Sequence, residues 1–250
     1  MEIRRVKKHD VDMTSGSVFR HLLNFAVPLL MGNIFQQLYN TVDTWVVGNY
    51  VSNEAFSAVG TVAPIINTLI GAFSGLASGA GVVISQYYGA GKYDRVKDAV
   101  HTAVMMTLVL SVVFTAIGIA MTPNMLRLMK TPAEVFPESR AYLNIYFSGM
   151  AGLMLYNMGA GILRAVGDSK RPFYYLVCAA VINTVLDLVF VIVFGMGVEG
   201  VAYATIIAQG ISAILTMLTL LRSESCVRVE LKLIRLHKDM LLKIIKVGIP

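Results

Sequence analysis

Long apolar runs broken by short polar stretches dominate this chain, and their lengths predict helices at about 21–48, 55–88, 99–121, 140–163, 173–195 and 200–221. Each run reaches the roughly 20 mostly apolar residues that a helix needs to cross a hydrocarbon layer, where every backbone polar group must be bonded inside the segment. A membrane β-barrel would instead show alternating segments of about ten residues, which these runs are not. The pattern predicts an all-α membrane protein built as a six-helix transmembrane bundle.

Composition strengthens this reading. Over 250 residues, 56% are hydrophobic, 14% are charged and the mean hydropathy is +0.67, too little polar surface to cover a water-soluble globule. The net charge of +6 could suggest nucleic acid, but its distribution argues otherwise. Arg4, Arg5, Lys7, Lys8 and Arg20 precede the first run; Lys92, Arg95 and Lys97 follow the second; Arg164, Lys170 and Arg171 follow the fourth; Arg222 through Lys246 follow the sixth. The intervening loops carry Arg127, Lys130 and Arg140. This alternation is the positive-inside pattern; it predicts a multi-pass membrane protein with both termini cytoplasmic and no nucleic-acid partner. The basic N-terminal stretch leads into a long run with no small-residue cleavage site, so the first helix is expected to be retained. Cys178 and Cys226 form neither a disulfide framework nor a metal-ligand spacing.

The segment Asn24-Phe25-Ala26-Val27-Pro28 has a counterpart in Lys246-Val247-Gly248-Ile249-Pro250, with the same polar, apolar, small, β-branched, proline order. The chain begins again there. Because six spans return it to the side it started from, a second copy would have the same orientation, related by an axis along the membrane normal. The expected organisation is a cytoplasmic tail over 1–20, a six-helix lobe over 21–222, a cytoplasmic linker over 223–238, and from 239 to 250 the start of a second lobe in a longer, twelve-helix chain. In the linker, Val227, Val229, Leu231 and Leu233 alternate with Arg228, Glu230 and Lys232, which reads as a solvated tether with its apolar side on the membrane surface, or as a strand.

Against this background two acids stand out. Asp43 and Asp187 are the carboxylates inside the apolar runs, and a helix-centre Asp costs roughly 2.5 to 3.5 kcal/mol on insertion scales, so an intramembrane acid reads first as an ion pathway or relay. Asn33, Gln36, Tyr39, Asn40 and Asp43 recur three or four residues apart and predict one polar stripe on the first helix; Asn183 and Asp187 share a face of the fifth. At 1.5 Å of rise per residue, Asp43 lies roughly 8 Å from its helix end near Gly48, Asp187 roughly 12 Å from Gly195, and Thr205 roughly 8 Å from Gly200. The three depths converge in the outer half of the membrane. Two carboxylates, an amide oxygen and a hydroxyl at one depth would suit a hard monovalent cation, or two acids that share protons. Asn or Ser would serve helix packing equally well without a charge to desolvate.

Other signals are more ordinary. Gly89-Ala90-Gly91-Lys92 lacks P-loop spacing and reads as a tight turn. His9, His21, His101 and His237 show no ligand spacing and read as surface or interface residues. Gly71, Gly75, Gly79 and Gly81 predict close helix packing, and Met105, Met106, Met154 and Met158 predict lipid-facing or packing side chains.

Together, several segments resemble the multidrug and toxic compound extrusion (MATE) family: Ala26-Val27-Pro28 and Val42-Asp43; Ser85-Gln86 with Gly89-Ala90-Gly91; Leu163-Arg164-Ala165-Val166-Gly167-Asp168-Ser169; Asn183 with Leu186-Asp187; and Gly200-Val201-Ala202-Tyr203-Ala204-Thr205. The resemblance implies a secondary antiporter, not an enzyme, that exports cationic or amphipathic compounds in exchange for Na+ or H+ by alternating access between two lobes, with no cofactor. It assigns the coupling cation to Asp43, Asn183, Asp187 and Thr205, and it places Tyr39 and Asn157 near the substrate cavity; the polar stripe adds Gln36 and Asn40 there. Leu188 departs from the family, in which Pro often follows the Asp, and implies a straighter fifth helix. Two alternatives remain: a lipid-linked sugar flippase of the same superfamily, which the acidic character of the intramembrane charges disfavours, and a non-transporting membrane scaffold or inactive fragment.

Overall fold

A computed structural model describes residues 18–248. The basic residues Arg4 to Lys8 and His9 of the N-terminal tail, and the Ile249-Pro250 end of the second motif, lie outside the described residues. Within them the chain forms eight α-helices: α1 Val18–Tyr50, α2 Asn53–Gly89, α3 Tyr93–Leu128, α4 Phe136–Ser148, α5 Met150–Ala165, α6 Lys170–Leu188, α7 Gly197–Leu221 and α8 Lys238–Gly248. The first three predicted runs and the last correspond to α1, α2, α3 and α7, while the other two are each divided.

The fourth run breaks at Gly149 into α4 and α5. Ser148 and Gly149 form the kind of pair at which helices kink, and the carbonyl freed at Phe147 accepts a hydrogen bond from Thr115 Oγ1 of α3 at 2.9 Å. A side chain at Gly149 has no room, because a Cβ there would lie 2.3 Å from Ile206 of α7. The fifth run changes character directly after Asp187: α6 gives way to a π-helical turn over Val189–Val193. The α-helical hydrogen-bond pattern therefore changes directly after Leu188, even without a proline.

Helices α2, α3, α7 and the continuous segment Lys170–Val193 are long and apolar enough to cross a membrane. The polar residues of α1 lower its hydropathy, and the break at Gly149 leaves α4 and α5 each too short alone. The apolar side chains on the outer surface of α3 and α6, among them Val112, Ile117, Val181 and Val185, are exposed as lipid-facing residues would be.

Two apolar clusters hold the bundle together. One joins α2, α3 and α5 to α8 near the Lys92 end, and the other joins α1, α2, α4 and α7 near the opposite end. Glycine sets the closest approaches. Gly81 of α2 faces Gly161 of α5, and Gly75 and Gly79 face Gly248 of α8, whereas Gly71 is exposed and meets nothing. Met106, Met154 and Met158 are core side chains.

The turn motifs end helices in the same way. Gly91, at φ +69°, donates to Tyr88 O while Lys92 donates to Tyr87 O; Gly167, at φ +89°, donates to Arg164 O while Asp168 donates to Leu163 O. These pairs of bonds close the last turns of α2 and α5 and need a left-handed residue that glycine adopts without strain.

The linker after α7 is neither strand nor solvated tether. Val227 and Val229 are buried in the lobe core, at 1% and 2% exposure, while Leu231 and Leu233 point outward from a short 3₁₀ turn. Its backbone bonds to the lobe: Val229 N–H to Leu220 O, Glu230 N–H to His101 Nε2 at 3.0 Å, and His237 N–H to Thr102 Oγ1 at 3.2 Å. His101, expected at a surface or interface, is buried, with Nδ1 held by Lys97 O and Nε2 accepting from the linker, a neutral tautomer used as a bracket. The alternation misled because one buried face along an extended segment looks the same whether it covers lipid or protein.

Candidate functional site

Asp43 comes from the last third of α1, Asp187 and Asn183 from the last turns of α6, and Thr205 from the third turn of α7. Packing of α1 on α6 and of α6 on α7 brings the four side chains together, and all are buried: Asp187 at 0%, Asn183 at 2%, Thr205 at 5% and Asp43 at 6% exposure. Thr205 Oγ1 donates to Asp43 Oδ2 at 3.5 Å and to Val201 O at 2.9 Å. The carboxyl groups of Asp43 and Asp187 are adjacent.

What this cluster lacks is donors. Asp43 Oδ1, both oxygens of Asp187 and both polar atoms of Asn183 are buried without a hydrogen-bond partner. Two carboxylates in such a place repel each other and are desolvated, so the arrangement calls for a bound proton or a cation. Three orphaned carboxylate oxygens and the Asn183 carbonyl oxygen are hard donors of the kind a small hard cation takes. The fit to Na+ is therefore chemical as well as positional, and a proton shared by the acids answers the same need.

Beside the cluster, a cavity of about 180 Å³ runs between α1, α5, α6 and α7. Gln36, Tyr39, Asn157, Asn183 and Thr205 line it, as do Asn33, Gln209 and Ser212. Tyr39 lies beside Gln36, and Asn157 Nδ2 donates to Leu153 O at 2.8 Å. Asn40 does not join them. It is exposed in a separate open groove with Gln37, Thr41, Thr44 and Asn49, and its Nδ2 donates to Gln37 Oε1 at 3.4 Å. At 100° per residue, Asn40 lies about 100° around the helix from Tyr39, and at its level of α1 it faces the open groove while Tyr39 faces the cavity.

Three residues escaped the sequence analysis. Tyr142 and Tyr146 of α4 are buried, stack with ring centroids 6.3 Å apart, and lie beside the acids; Tyr146 also lies beside Gln209. Their spacing of four was a visible signal, but aromatic residues at that spacing look like packing. Arg164, assigned by sequence to a basic loop, instead lines the cavity from the end of α5. The charges in the lobe interior are thus not acidic alone.

Comparison with known proteins places this geometry. The chain is 36% identical over 245 residues to the probable multidrug resistance protein YoeA of Bacillus subtilis (strain 168), covering 94% of this chain and 52% of that protein. It is 35% identical over 201 residues to the probable multidrug resistance protein YpnP of the same organism, covering 80% of this chain and 45% of that one. A solved structure of a multidrug resistance MATE family transporter of the MOP superfamily, in an outward-facing conformation, superposes with a TM-score of 0.91 at 25% identity, over 99% of this chain and 55% of the other. The chain spans about half the length of the curated relatives it matches. The profile of the MatE family matches residues 28–189, which contain Asp43, Asn157, Asn183 and Asp187, and on that match the chain belongs to the MATE family of membrane transporters rather than to an enzyme family.

Proposed function

We propose that the chain is the first six-helix lobe of a secondary antiporter that exports cationic or amphipathic compounds in exchange for Na+ or H+. The observation that carries this reading is the donor-poor pair Asp43 and Asp187, buried side by side with the unpartnered Asn183 amide between the outer ends of α1, α6 and α7. In this reading residues 21–222 form the lobe, 223–238 the cytoplasmic linker, and 239–250 open a second lobe of the same chain, with both termini of the first lobe cytoplasmic in a bacterial inner membrane. The multidrug resistance names of its relatives favour drug-like amphiphiles as substrates.

Coupling requires that the cation bind the acids better in one conformation than in the other, since a ligand shifts an equilibrium only by its differential affinity. Inward movement of one charge supplies about 2.3 kcal/mol per 100 mV, against about 1.4 kcal/mol for each tenfold substrate gradient. One uncompensated charge therefore sustains a gradient of roughly 40-fold. Exchange of one monovalent cationic substrate for one ion cancels that electrical contribution, so stoichiometry sets the power of the pump.

The test is efflux of a fluorescent cationic dye from cells expressing the complete reading frame, with sodium and external pH varied independently, in wild type, Asp43→Asn and Asp187→Asn. Efflux driven by sodium or by external acid, and lost in both variants, is the expected result and identifies the ion. Efflux that is indifferent to both ions and both substitutions overturns the assignment.

A further inference from the structure

Resting on the reading of the lobe cavity as a substrate site, we infer that Arg164 forms an oxyanion subsite at the end of that cavity remote from the acids and is the residue that sets the lobe's preference between a carboxylate-bearing zwitterion and the corresponding cationic ester. Arg164 lines the cavity together with Ser169 and Pro172, which mark the α6 N-terminal end, while Asn183 and Thr205 mark the end next to Asp43 and Asp187. From Pro172 to Asn183 is roughly 16 Å along α6. The cavity thus has a guanidinium at one end and, at the other, Asn183 and Thr205, which separate it from the two carboxyl groups.

The guanidinium is underused. Among the described residues its hydrogen bond is Nε–H to Ala160 O at 3.0 Å, in the last turn of its own helix, and no carboxylate pairs with it. The nearest acid in sequence, Asp168, is committed elsewhere: Oδ2 lies 3.3 Å from Arg171 Nε, and Oδ1 accepts the Arg171 backbone N–H at 3.2 Å. That leaves the two terminal NH₂ groups of Arg164 as a planar fork, the geometry that matches a carboxylate bidentately. Buried Ser169 lines the cavity at the same end. A half-buried guanidinium without a counter-ion is expensive to maintain for packing alone, and at this depth a lysine could reach water where arginine is held against Ala160.

The experiment measures binding to the purified full-length protein of tetramethylrhodamine as its free acid, a zwitterion, and as its ethyl ester, a cation with the same chromophore. Wild type is expected to bind both, and Arg164→Gln to lose at least tenfold more affinity for the acid than for the ester, with Arg164→Lys recovering part of the difference. Equal losses for the two dyes, or no loss for either, overturn the inference while leaving the cavity reading intact. Failure of wild type to bind either dye overturns the cavity reading, and the inference with it. Ester binding by Arg164→Gln reports that the variant is folded; if it binds neither dye, the acid-to-ester affinity ratio in Arg164→Lys decides, a ratio equal to wild type counting against the fork.

Discussion

Thr205 Oγ1 reaches Asp43 Oδ2 at 3.5 Å across 162 residues of sequence, and the same hydroxyl makes its shorter bond, 2.9 Å, to Val201 O in its own helix. The hydroxyl is therefore fixed by α7 and offers Asp43 its oxygen as readily as its proton. A cation placed between the acids would find that oxygen in reach, and Thr205→Val removes it with little change in volume. Since a hydrogen bond or ligand to a charged group contributes about 1.5–3 kcal/mol, Thr205→Val should raise the half-saturating concentration of the driving ion about tenfold or more, and Thr205→Ser should stay near wild type. A sodium and proton titration of dye efflux reads this; equal ion dependence in all three proteins would remove Thr205 from the site.

Asn183 is the opposite case, a buried amide whose Nδ2 and Oδ1 both lack partners. Burying such a group without compensation costs about 1–3 kcal/mol, so a purely structural amide there would be hard to explain. Asn183→Leu should leave the thermal stability of the detergent-solubilised protein unchanged or raised, while ion-dependent efflux falls by tenfold or more. A variant that melts lower and transports normally would show the amide to be a packing element.

The acid cluster was legible in sequence because depth in a membrane follows from helix rise alone: counting residues from Gly48, Gly195 and Gly200 put Asp43, Asp187 and Thr205 at one level, and the fold brings them together. What escaped was whatever depends on which apolar face meets protein and which meets lipid. Val227 and Val229 could cover either; Tyr142 and Tyr146 differ from packing aromatics only by the acids beside them; and Arg164 at a helix end reads as a topology signal until its side chain is seen to turn inward. Asn40 shows the remaining limit, since the three-to-four spacing of Gln36, Tyr39, Asn40 and Asp43 spreads over about 100° of helix and a narrow cavity admits only part of it.

Lys130 is the non-glycine residue with a left-handed backbone among the described residues, at φ +55°. It ends α3 as Gly91 and Gly167 end α2 and α5: Lys130 N–H donates to Arg127 O at 2.9 Å and Thr131 N–H to Leu126 O at 3.1 Å. A side chain in that conformation costs about 1–2 kcal/mol, so Lys130→Gly should stabilise the lobe, offset in part by the greater freedom of the unfolded glycine. The expected gain is about 1 kcal/mol, seen as a higher melting temperature, with efflux unaltered. A lower melting temperature would mean that the lysine side chain contributes more than its backbone strain costs.

The docking of α8 onto α2 and α3 combines two kinds of contact whose weights differ. Arg95 pairs with Asp239 at 3.0 Å, but both side chains are about half exposed, and such surface pairs contribute about 0–1 kcal/mol. Gly79 has no such tolerance: a Cβ there would lie 2.6 Å from Gly248 Cα and 2.7 Å from Ile244 O, backbone atoms that cannot turn aside. Asp239→Ala should therefore leave α8 docked, whereas Gly79→Ala should push it off α2 and expose the apolar face of Met240 and Ile244. Hydrogen exchange over 238–248 separates the two, with fast exchange expected in Gly79→Ala and wild-type protection in Asp239→Ala. If exchange is unchanged in Gly79→Ala, the glycine contact does not hold α8, and the linker bonds through His101 and Thr102 become the elements that do.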